Sequence, residues 1–546
     1  MKKHLLVIGV LAALFTACGK DEITTSDGGE TPGTIIDTDT TTTLEGYTRS
    51  VTVVFSATGA ATVSGDSAGI SATIDGNGVE INNESGATVA YFLSGSTTDG
   101  YLKIYSNAEQ ALVLNSVSLA NSTGAAINIQ GPAIDPGNGL AAKVILNGSN
   151  TLADGATYSA ASGLEDEKAA LFCEGGLLLT GTGSLTVEAT GKSAITSDTY
   201  VQLSGTPTIT ARASNGHGVR GKNYILLSGG TLDVRVTGDM RKGLTSDTLV
   251  RIDGGTTTIE VSGNSGYDTE SAAYAGTAGI RAGLGFVMNG GTLTIANSGR
   301  GGKGINSNGD GTFNGGTVDI SVTGTDYTTS TDTVAAKGIK FQGDITFGGG
   351  TVTVRCNLNE GIESKGSITV SGGEVYGYSA TSNAINASNR IAVSSGYLCG
   401  HSDSNDGLDA GGDITVSGGL VYAICTDGGT HKAVNSGKGY SFTHSGGTLI
   451  AIGGLENGAD LKQAGYQTAT YSGNTWYALT VGTTTYAFRT PVASASSLVL
   501  SCGTTPTLLS GVSVSGGTGR LAGTVVEDGT ATGGTTVNLT AYTSNN

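Results

Sequence analysis

Three pairs of oxygen-bearing side chains recur at intervals of about 23 residues, each pair flanking a small residue and an Ile or Leu. If each interval is one structural repeat, equivalent residues lie one above another in two adjacent columns on one face. Carboxylates and amide oxygens are the ligands that Ca²⁺ prefers, and it takes about six to eight of them. Asp403, just before the last pair, could complete such a shell. The sequence therefore predicts a calcium site at Glu360, Glu363, Asn383, Asn386, Asp403, Asp406 and Asp409.

The same columns have an alternative interpretation as a ladder of ion pairs. Lys340 stands about one interval before Glu363, and Lys432 stands one interval after Asp406. Opposite charges on neighbouring strands neutralise each other, and exposed pairs contribute about 0–1 kcal/mol each. The sequence leaves both interpretations open.

Four tyrosines form a second candidate site, because they alternate with apolar residues that should face the interior. Their rings are predicted to face outward in neighbouring repeats, where flat rings with hydroxyl tips can stack on sugars. Tyrosine also favours strands for packing reasons alone, so a structural role under a loop is the alternative. The tyrosines are Tyr376, Tyr378, Tyr397 and Tyr422.

Signals for catalysis are thin. A calcium-dependent lyase would need a basic side chain beside its acidic ligands, and Lys340, Lys365 or Arg390 could supply one. Lysine acts as a base only when its pKa is held near neutral. The chain contains no paired zinc histidines and no phosphate-binding loop. No catalytic residue is predicted.

The elements that would position these side chains are short strands. A Gly-aliphatic step followed by a Gly-Gly pair recurs along the chain, as in Gly361-Ile362 with Gly372-Gly373. Between these glycines apolar and polar residues alternate, as in Ile345-Thr346-Phe347, which is typical of strands with one buried face. Self-similarity at a fixed period indicates a solenoid. The pattern predicts an all-β parallel β-helix over residues 44–454 and an irregular β cap over 455–546.

Composition limits the classes of function. The chain has 546 residues, of which 91 are Gly and 6 are Pro, and its formal net charge is −17. An acidic surface repels phosphate backbones, so no nucleic-acid partner is predicted. A negatively charged protein favours binding of cations, or of ligands that bind through a cation.

The N-terminus predicts export and a lipid anchor. Lys2 and Lys3 precede an apolar run that is too short to span a bilayer. Residues 1–17 are therefore predicted to be a lipoprotein signal peptide, with Cys18 as the lipidated residue and residues 18–43 as a flexible tether. The Lys-Asp-Glu sequence at 20–22 resembles the export signal of surface lipoproteins of Gram-negative gut bacteria. The predicted location is the outer membrane, facing the cell exterior.

Several segments resemble the bacterial carbohydrate-binding domain-containing family of calcium-bearing β-helix proteins. They are residues 91–105, 112–117 and 165–172, and the repeats that contain Lys-Gly-Ile or Glu-Gly-Ile-Glu-Ser-Lys. The resemblance covers about residues 50–450. It implies a right-handed parallel β-helix, related in fold to β-helix pectate lyases, with bound calcium and affinity for plant-type polysaccharides, including cellulose and acidic sugars. Many members carry Asp before the Gly-Ile step where this chain has Lys242, Lys303 and Lys337, so the resemblance does not fix the number of calcium ions.

The sequence thus predicts a surface lipoprotein that binds polysaccharide, associated with calcium and without catalysis. One alternative is a calcium-dependent pectate-type lyase of the same fold. Another is a structural or adhesion protein whose partner is a protein. Release of unsaturated sugar product would identify the lyase, and a glycan array without sugar binding would favour adhesion.

Overall fold

The computed structural model describes residues 44–134, 137–159, 165–269, 272–456, 458–492 and 497–543, all within one compact unit, Thr38–Asn546. The predicted signal peptide, Cys18 and the tether lie outside the described residues. The described residues form an all-β structure whose one helical turn is a 3₁₀ turn, Leu521–Gly523. They include no helix that is long and apolar enough to cross a membrane.

Most strands belong to three ladders, named A, B and C, in which each strand pairs in parallel with the equivalent strand of the next repeat. Within a repeat the chain passes from ladder C through ladder A to ladder B. Ladders A and B lie in one 32-stranded sheet, and ladder C is the 15-stranded sheet.

Ladder C consists of Ile70–Asp75, Gly78–Asn83, Tyr101–Ser106, Ile127–Gln130, Ala169–Cys173, Ser193–Ser197, Val219–Gly221, Lys242–Ser246, Ala278–Ala282, Lys303–Ser307, Lys337–Phe341, Ile362–Ser364, Ile385–Ala387, Leu408–Ala410 and Val434–Ser436. Its first two strands pair antiparallel. Ladder A consists of Ala142–Asn147, Leu177–Gly181, Tyr200–Leu203, Tyr224–Leu227, Leu249–Ile252, Gly285–Met288, Asp310–Phe313, Ile345–Phe347, Ile368–Val370, Ile391–Val393, Ile414–Val416, Phe442–His444 and Asp460–Leu461.

Ladder B consists of Ser149–Ala153, Ser184–Ala189, Thr208–Ala213, Thr231–Val236, Thr256–Val261, Thr292–Asn297, Thr317–Val322, Thr351–Cys356, Glu374–Ser379, Tyr397–Ser402, Leu420–Cys425 and Thr448–Ile452. Three strands at the N-terminal end pair in parallel and lead into ladders A and B: Arg49–Phe55, Val89–Thr97 and Gln110–Ala120. Thr62–Gly65 adds antiparallel to the first of them.

Because apolar and polar residues alternate along each strand, the apolar residues of all three ladders face inward and form one continuous core. In Ile345–Phe347 and Ile368–Val370 the two apolar residues are buried and the threonine between them is only partly covered, as the sequence predicts. Aromatic rings in successive repeats stack on one another, with the ring centroids of Phe313 and Phe347 5.0 Å apart. Burial of these side chains supplies the main driving force for stacking the repeats.

The turn from ladder A to ladder B explains the recurrent Gly-Gly pair. The second glycine has a positive φ, as at Gly350 (74°) and Gly373 (71°). A Cβ on Gly373 would lie 2.6 Å from the carbonyl carbon of Gly349 in the preceding repeat. Glycine is therefore required both for its backbone conformation and for the close approach of successive turns.

Two antiparallel hairpins extend the turn from ladder B to ladder C. They pair Gly266–Asp268 with Ala273–Ala275 and Tyr327–Thr328 with Thr333–Val334. Both insertions leave the flanking strands in register with their neighbours. The repeat length therefore varies at this turn without disturbing the ladders.

After Ile452 most of the pairing is antiparallel, although Asp460–Leu461 still adds in parallel to ladder A. Leu498–Cys502, Ala464–Thr468 and Thr540–Ala541 continue from ladder B. A separate six-stranded sheet has the order Thr518–Arg520, Val525–Glu527, Thr484–Arg489, Trp476–Val481, Thr507–Ser515, Thr530–Thr536. This sheet forms a second apolar cluster with the outward face of the last ladder B strands.

This cluster overturns part of the tyrosine prediction. Tyr422 and Tyr376 do point away from the main core, but they are 0 % and 7 % exposed because the C-terminal segment covers them. The ring of Tyr422 packs edge-on against Phe488, with centroids 5.6 Å apart. The prediction that these two rings face solvent and stack on sugars is wrong, and packing under a covering segment is their role.

Candidate functional site

The outward face of ladder C carries two columns of polar side chains. The first column precedes the Gly-Ile step and the second follows it, and pairing between strands fixes the register of both. The first column is Lys242, Ala278, Lys303, Lys337, Glu360, Asn383, Asp406 and Lys432. The second column is Arg220, Thr245, Arg281, Asn306, Lys340, Glu363, Asn386, Asp409 and Asn435.

Charge divides these columns into segments. From Arg220 to Lys340 the charged side chains are basic, and from Glu360 to Asp409 they are acidic. Glu363, Asn386 and Asp409 are stacked in successive repeats, as the 23-residue interval predicts. Their role as metal ligands stays a prediction.

The glutamate part of the acidic segment is neutralised by lysines. Lys337 Nζ lies 2.7 Å from Glu360 Oε2 and 2.6 Å from Glu363 Oε2, and Lys365 Nζ lies 2.5 Å from Glu363 Oε1. Burial alone would raise the pKa of Glu363, but hydrogen bonds from Lys337 and Lys365 lower it below its usual value. In these repeats the columns form ion pairs, as the alternative interpretation predicts, but with Lys337 and Lys365 rather than with Lys340 and Lys432.

The aspartate part has a different environment. Asp409 Oδ2 accepts hydrogen bonds of 2.7 Å from Nδ2 of both Asn383 and Asn386, and Asn435 donates to both aspartates. Burial is the main cause of the raised pKa of Asp406 and Asp409. Among the described residues, no lysine or arginine side chain pairs with either carboxylate. Rotation of each asparagine side-chain amide by half a turn would point its oxygen, instead of its nitrogen, at the space beside the aspartates. The carboxylate and amide oxygens together could then hold a hard cation.

Asp403 lies elsewhere. Its carboxylate accepts a 2.7 Å hydrogen bond from the Tyr378 hydroxyl and lies 3.2 Å from His401 Nε2. No hydrogen bond or ion pair joins its side chain to the two columns in the described part of the chain. The structure therefore does not bring Asp403 into the predicted set.

Apart from Lys337, whose ammonium pairs with Glu360 and Glu363, the basic segment presents one cation per repeat, alternating between the two columns. These five residues are called the basic zigzag: Arg220, Lys242, Arg281, Lys303 and Lys340. Within the described residues, no carboxylate lies within ion-pair distance of the three lysines. Burial, and then the neighbouring Arg281, lowers the pKa of Lys242 to about 8. Burial and nearby lysines lower that of Lys303 to about 8 as well.

A groove of about 370 Å³ lies at the start of the basic zigzag. Four cations line it, with His217 and one carboxylate, Asp247, which lies 3.4 Å from Arg220 and 3.7 Å from Arg281. The groove therefore keeps an excess of positive charge although the chain as a whole is acidic; the four cations are Lys168, Arg220, Lys242 and Arg281. Burial, with Lys242 next in importance, holds the pKa of His217 well below its usual value. A groove with an excess of positive charge attracts anionic ligands.

The two hairpins carry aromatic rings beside this segment. The ring centroids of Tyr267 and Tyr274 are 5.3 Å apart, and those of Tyr274 and Tyr327 are 6.3 Å apart. Tyr267 is 50 % exposed. Lys303 Nζ lies close to Gly276, just after the first hairpin. The first hairpin therefore lies beside Lys303 of the basic zigzag, and the sequence-based predictions do not include these rings.

The remaining predicted tyrosines keep partial exposure. The Tyr397 hydroxyl donates to Glu527 Oε2 at 2.6 Å, and the Arg520 guanidinium lies 4.5 Å from its ring centroid. Tyr397 lines a polar groove of about 590 Å³ with Glu374, Arg520 and the turn glycines. Tyr378 packs edge-on against His401 on the same outward side of ladder B. Neither tyrosine belongs to the ladder C face.

The fold and this face define a class of protein: an all-β chain of stacked parallel strands that presents charged side chains in register. Residues 75–242, 236–327 and 300–381 match the family model described as "Carbohydrate-binding domain-containing protein". These ranges span more than half of the chain, so the chain belongs to this family, as the sequence motifs predict.

A solved structure, that of the polysaccharide lyase-like protein from C. thermocellum in a gadolinium derivative, is also similar. The match has 22 % sequence identity and a TM-score of 0.39, and it covers 48 % of this chain and 96 % of that chain. No curated protein sequence matches the chain.

Proposed function

We propose that this chain is a surface lipoprotein that binds acidic polysaccharide along the outward face of ladder C, with calcium and without catalysis. The observation that carries the proposal is the basic zigzag on a chain whose net charge is −17. Membership in a carbohydrate-binding family supports a sugar polymer as the ligand. Acidic sugars fit because their carboxylates pair with guanidinium and ammonium groups.

The geometry of the zigzag supports a linear polymer. Successive repeats are about 4.8 Å apart, so residues two repeats apart, such as Arg220 and Arg281, are separated by roughly 10 Å. The cations alternate between two columns, and the carboxylates of an extended uronate chain alternate between its two sides. Tyr267 and the other hairpin rings would supply flat surfaces for sugar rings at the edge.

We further propose that the fold is a right-handed parallel β-helix. Support comes from the three ladders, each of which pairs one repeat with the next in parallel. Crossover connections between parallel strands are right-handed in nearly all proteins. The C-terminal antiparallel segment would act as the cap, since it pairs with the last full ladder B strand.

A pectate-type lyase is the second candidate, because the pKa of about 8 at Lys242 and Lys303 suits a general base. Incubation of the purified chain with polygalacturonate and Ca²⁺ separates the candidates. We expect saturable binding and no rise in the ultraviolet absorbance of unsaturated product. Steady product formation would establish the lyase instead. Absence of binding to uronate polymers, with or without Ca²⁺, would contradict both candidates and favour adhesion to a protein.

The anchor has its own test. Cys18→Ser should move the protein from the membrane fraction to the soluble fraction of cells, because several acyl chains hold a lipoprotein almost permanently. Replacing Lys20, Asp21 and Glu22 with alanine should leave it membrane-bound but protected from protease added outside the cells. Equal digestion of this triple variant and the wild type would show that these residues are not a surface signal.

A further inference from the structure

A separate cluster of carboxylates lies at the edge of ladder C, beside the basic groove. One carboxylate oxygen from each of Asp166, Glu174 and Asp198 lies within 4.8 Å of the other two. Glu174 directly follows the strand Ala169–Cys173, and Asp198 follows its neighbour Ser193–Ser197, so the two stack at equivalent turns. Asp166 reaches them from the segment before the first of these strands.

The cluster has too few donors for its oxygens. Glu174 is 9 % exposed, yet its Oε2 has no hydrogen-bond partner among the described residues, and neither has Asp198 Oδ1. Arg220 Nη1 lies 4.0 Å from Asp198 Oδ1, beyond hydrogen-bond distance. The cation in direct contact is Lys168, whose Nζ lies 2.6 Å from Asp166 Oδ2 and also pairs with Asp198 Oδ2. Buried carboxylate oxygens without donors or a cation are costly.

We propose that Asp166, Glu174 and Asp198 bind Ca²⁺, which takes the place of the Lys168 ammonium. Calcium–oxygen bonds of about 2.4 Å allow ligand oxygens up to about 4.8 Å apart, which the cluster satisfies. Three carboxylates and no sulfur or imidazole favour a hard cation. The site is separate from Asp406 and Asp409 and needs no glycan.

Displacement of Lys168 has a consequence for the groove. Lys168 lines the basic groove, so an ammonium released from Asp166 and Asp198 adds positive charge there. Calcium at this site would then strengthen binding of acidic sugars, and the sugar would strengthen binding of calcium. This consequence rests on the proposed function, whereas the cation site itself does not.

The test is calorimetric titration of CaCl₂ into the purified full-length chain after removal of metals, without glycan. The Asp406→Asn, Asp409→Asn double variant serves as background, so that the other predicted site does not contribute. Adding Glu174→Gln should weaken the remaining calcium binding at least tenfold. The matched control is Asp247→Asn, which removes a 51 % exposed carboxylate that also borders the groove and should leave binding unchanged.

A second variant separates a cation site from a simple ion-pair cluster. Lys168→Met removes the competing ammonium, so calcium should bind at least tenfold more tightly. If the cluster exists only to pair with Lys168, this variant will show no gain in calcium affinity, and the proposal fails. Equal calcium binding with and without Glu174→Gln would also overturn it. Should Glu174→Gln not fold, the Lys168→Met titration decides.

Discussion

Replacing Arg281, Lys303 and Lys340 with alanine should weaken binding of polygalacturonate by roughly 100-fold. Each cation of the basic zigzag that pairs with a sugar carboxylate should contribute about 1 kcal/mol, discounted for partial exposure. Three such contacts total about 3 kcal/mol, and about 1.4 kcal/mol corresponds to a tenfold change in Kd. The measurement is calorimetric titration of size-defined oligogalacturonate at fixed ionic strength.

The control is a second triple variant, which removes three positive charges from a different face of the protein. Arg212, Arg235 and Arg355 lie on the outward side of ladder B and are 50 %, 64 % and 44 % exposed. Their replacement with alanine should change the affinity less than twofold. If both triple variants lose affinity equally, binding depends on net charge, and the ladder C face is not the site.

The pH dependence of the same titration follows from the lysines. The pKa of Lys242 and Lys303 is about 8, so both are cationic below pH 8 and lose charge as the pH rises through it. Affinity for the polyanion should therefore fall as the pH rises above 8. The midpoint of this fall should lie somewhat above pH 8, because a bound carboxylate raises the lysine pKa. A dependence only above about pH 10, where ordinary lysines titrate, would contradict this assignment.

Removal of calcium should lower the melting temperature, and Asp406→Asn with Asp409→Asn should abolish most of that shift. A ligand that binds only the folded state stabilises it by about 2.7 kcal/mol at roughly a hundredfold excess over Kd. The experiment compares thermal unfolding with excess calcium and with chelator, using Glu174→Gln as background to remove the second proposed site.

Glu360→Gln is the matched control for this prediction. It removes a carboxylate from the same column, but Glu363 still pairs with Lys337 at 2.6 Å. This variant should keep the full response to chelator, because the lysines already neutralise the glutamate part of the columns. Identical chelator shifts in the double aspartate variant and in its background would remove Asp406 and Asp409 from the set of metal ligands.

The repeat and its strands could be predicted from the sequence because their causes are local. The alternation of apolar and polar residues in Ile345-Thr346-Phe347 indicates a strand with one buried face, and each Gly-Gly pair marks a turn with positive φ. The 23-residue interval also gives the stacking of Glu363, Asn386 and Asp409. Register follows from such spacing wherever no insertion intervenes.

Features that depend on distant segments could not be predicted in this way. Tyr422 has the alternation of an exposed residue, but Phe488, more than 60 residues later, packs against its ring, and the backbone carbonyl of Arg489 accepts a hydrogen bond from its hydroxyl. Two hairpin insertions between Lys242 and Lys340 change the sequence spacing of the repeats. The residues of the basic zigzag can therefore be aligned only from the strand pairing in the structure. In the cluster of Asp166, Glu174 and Asp198, Glu174 and Asp198 occupy equivalent turns of neighbouring repeats, but no repeat spacing relates Asp166 to either of them.

The regular step of the basic zigzag also bears on how a polymer would occupy it. Because one cation recurs in each of five successive repeats, a long chain of like charges can bind in several overlapping positions of nearly equal free energy. The number of these positions adds a statistical entropy that a short oligomer lacks. Under the proposed function, such a surface would select for charge spacing rather than for one sugar, and it would let a polymer slide from one position to the next without full release.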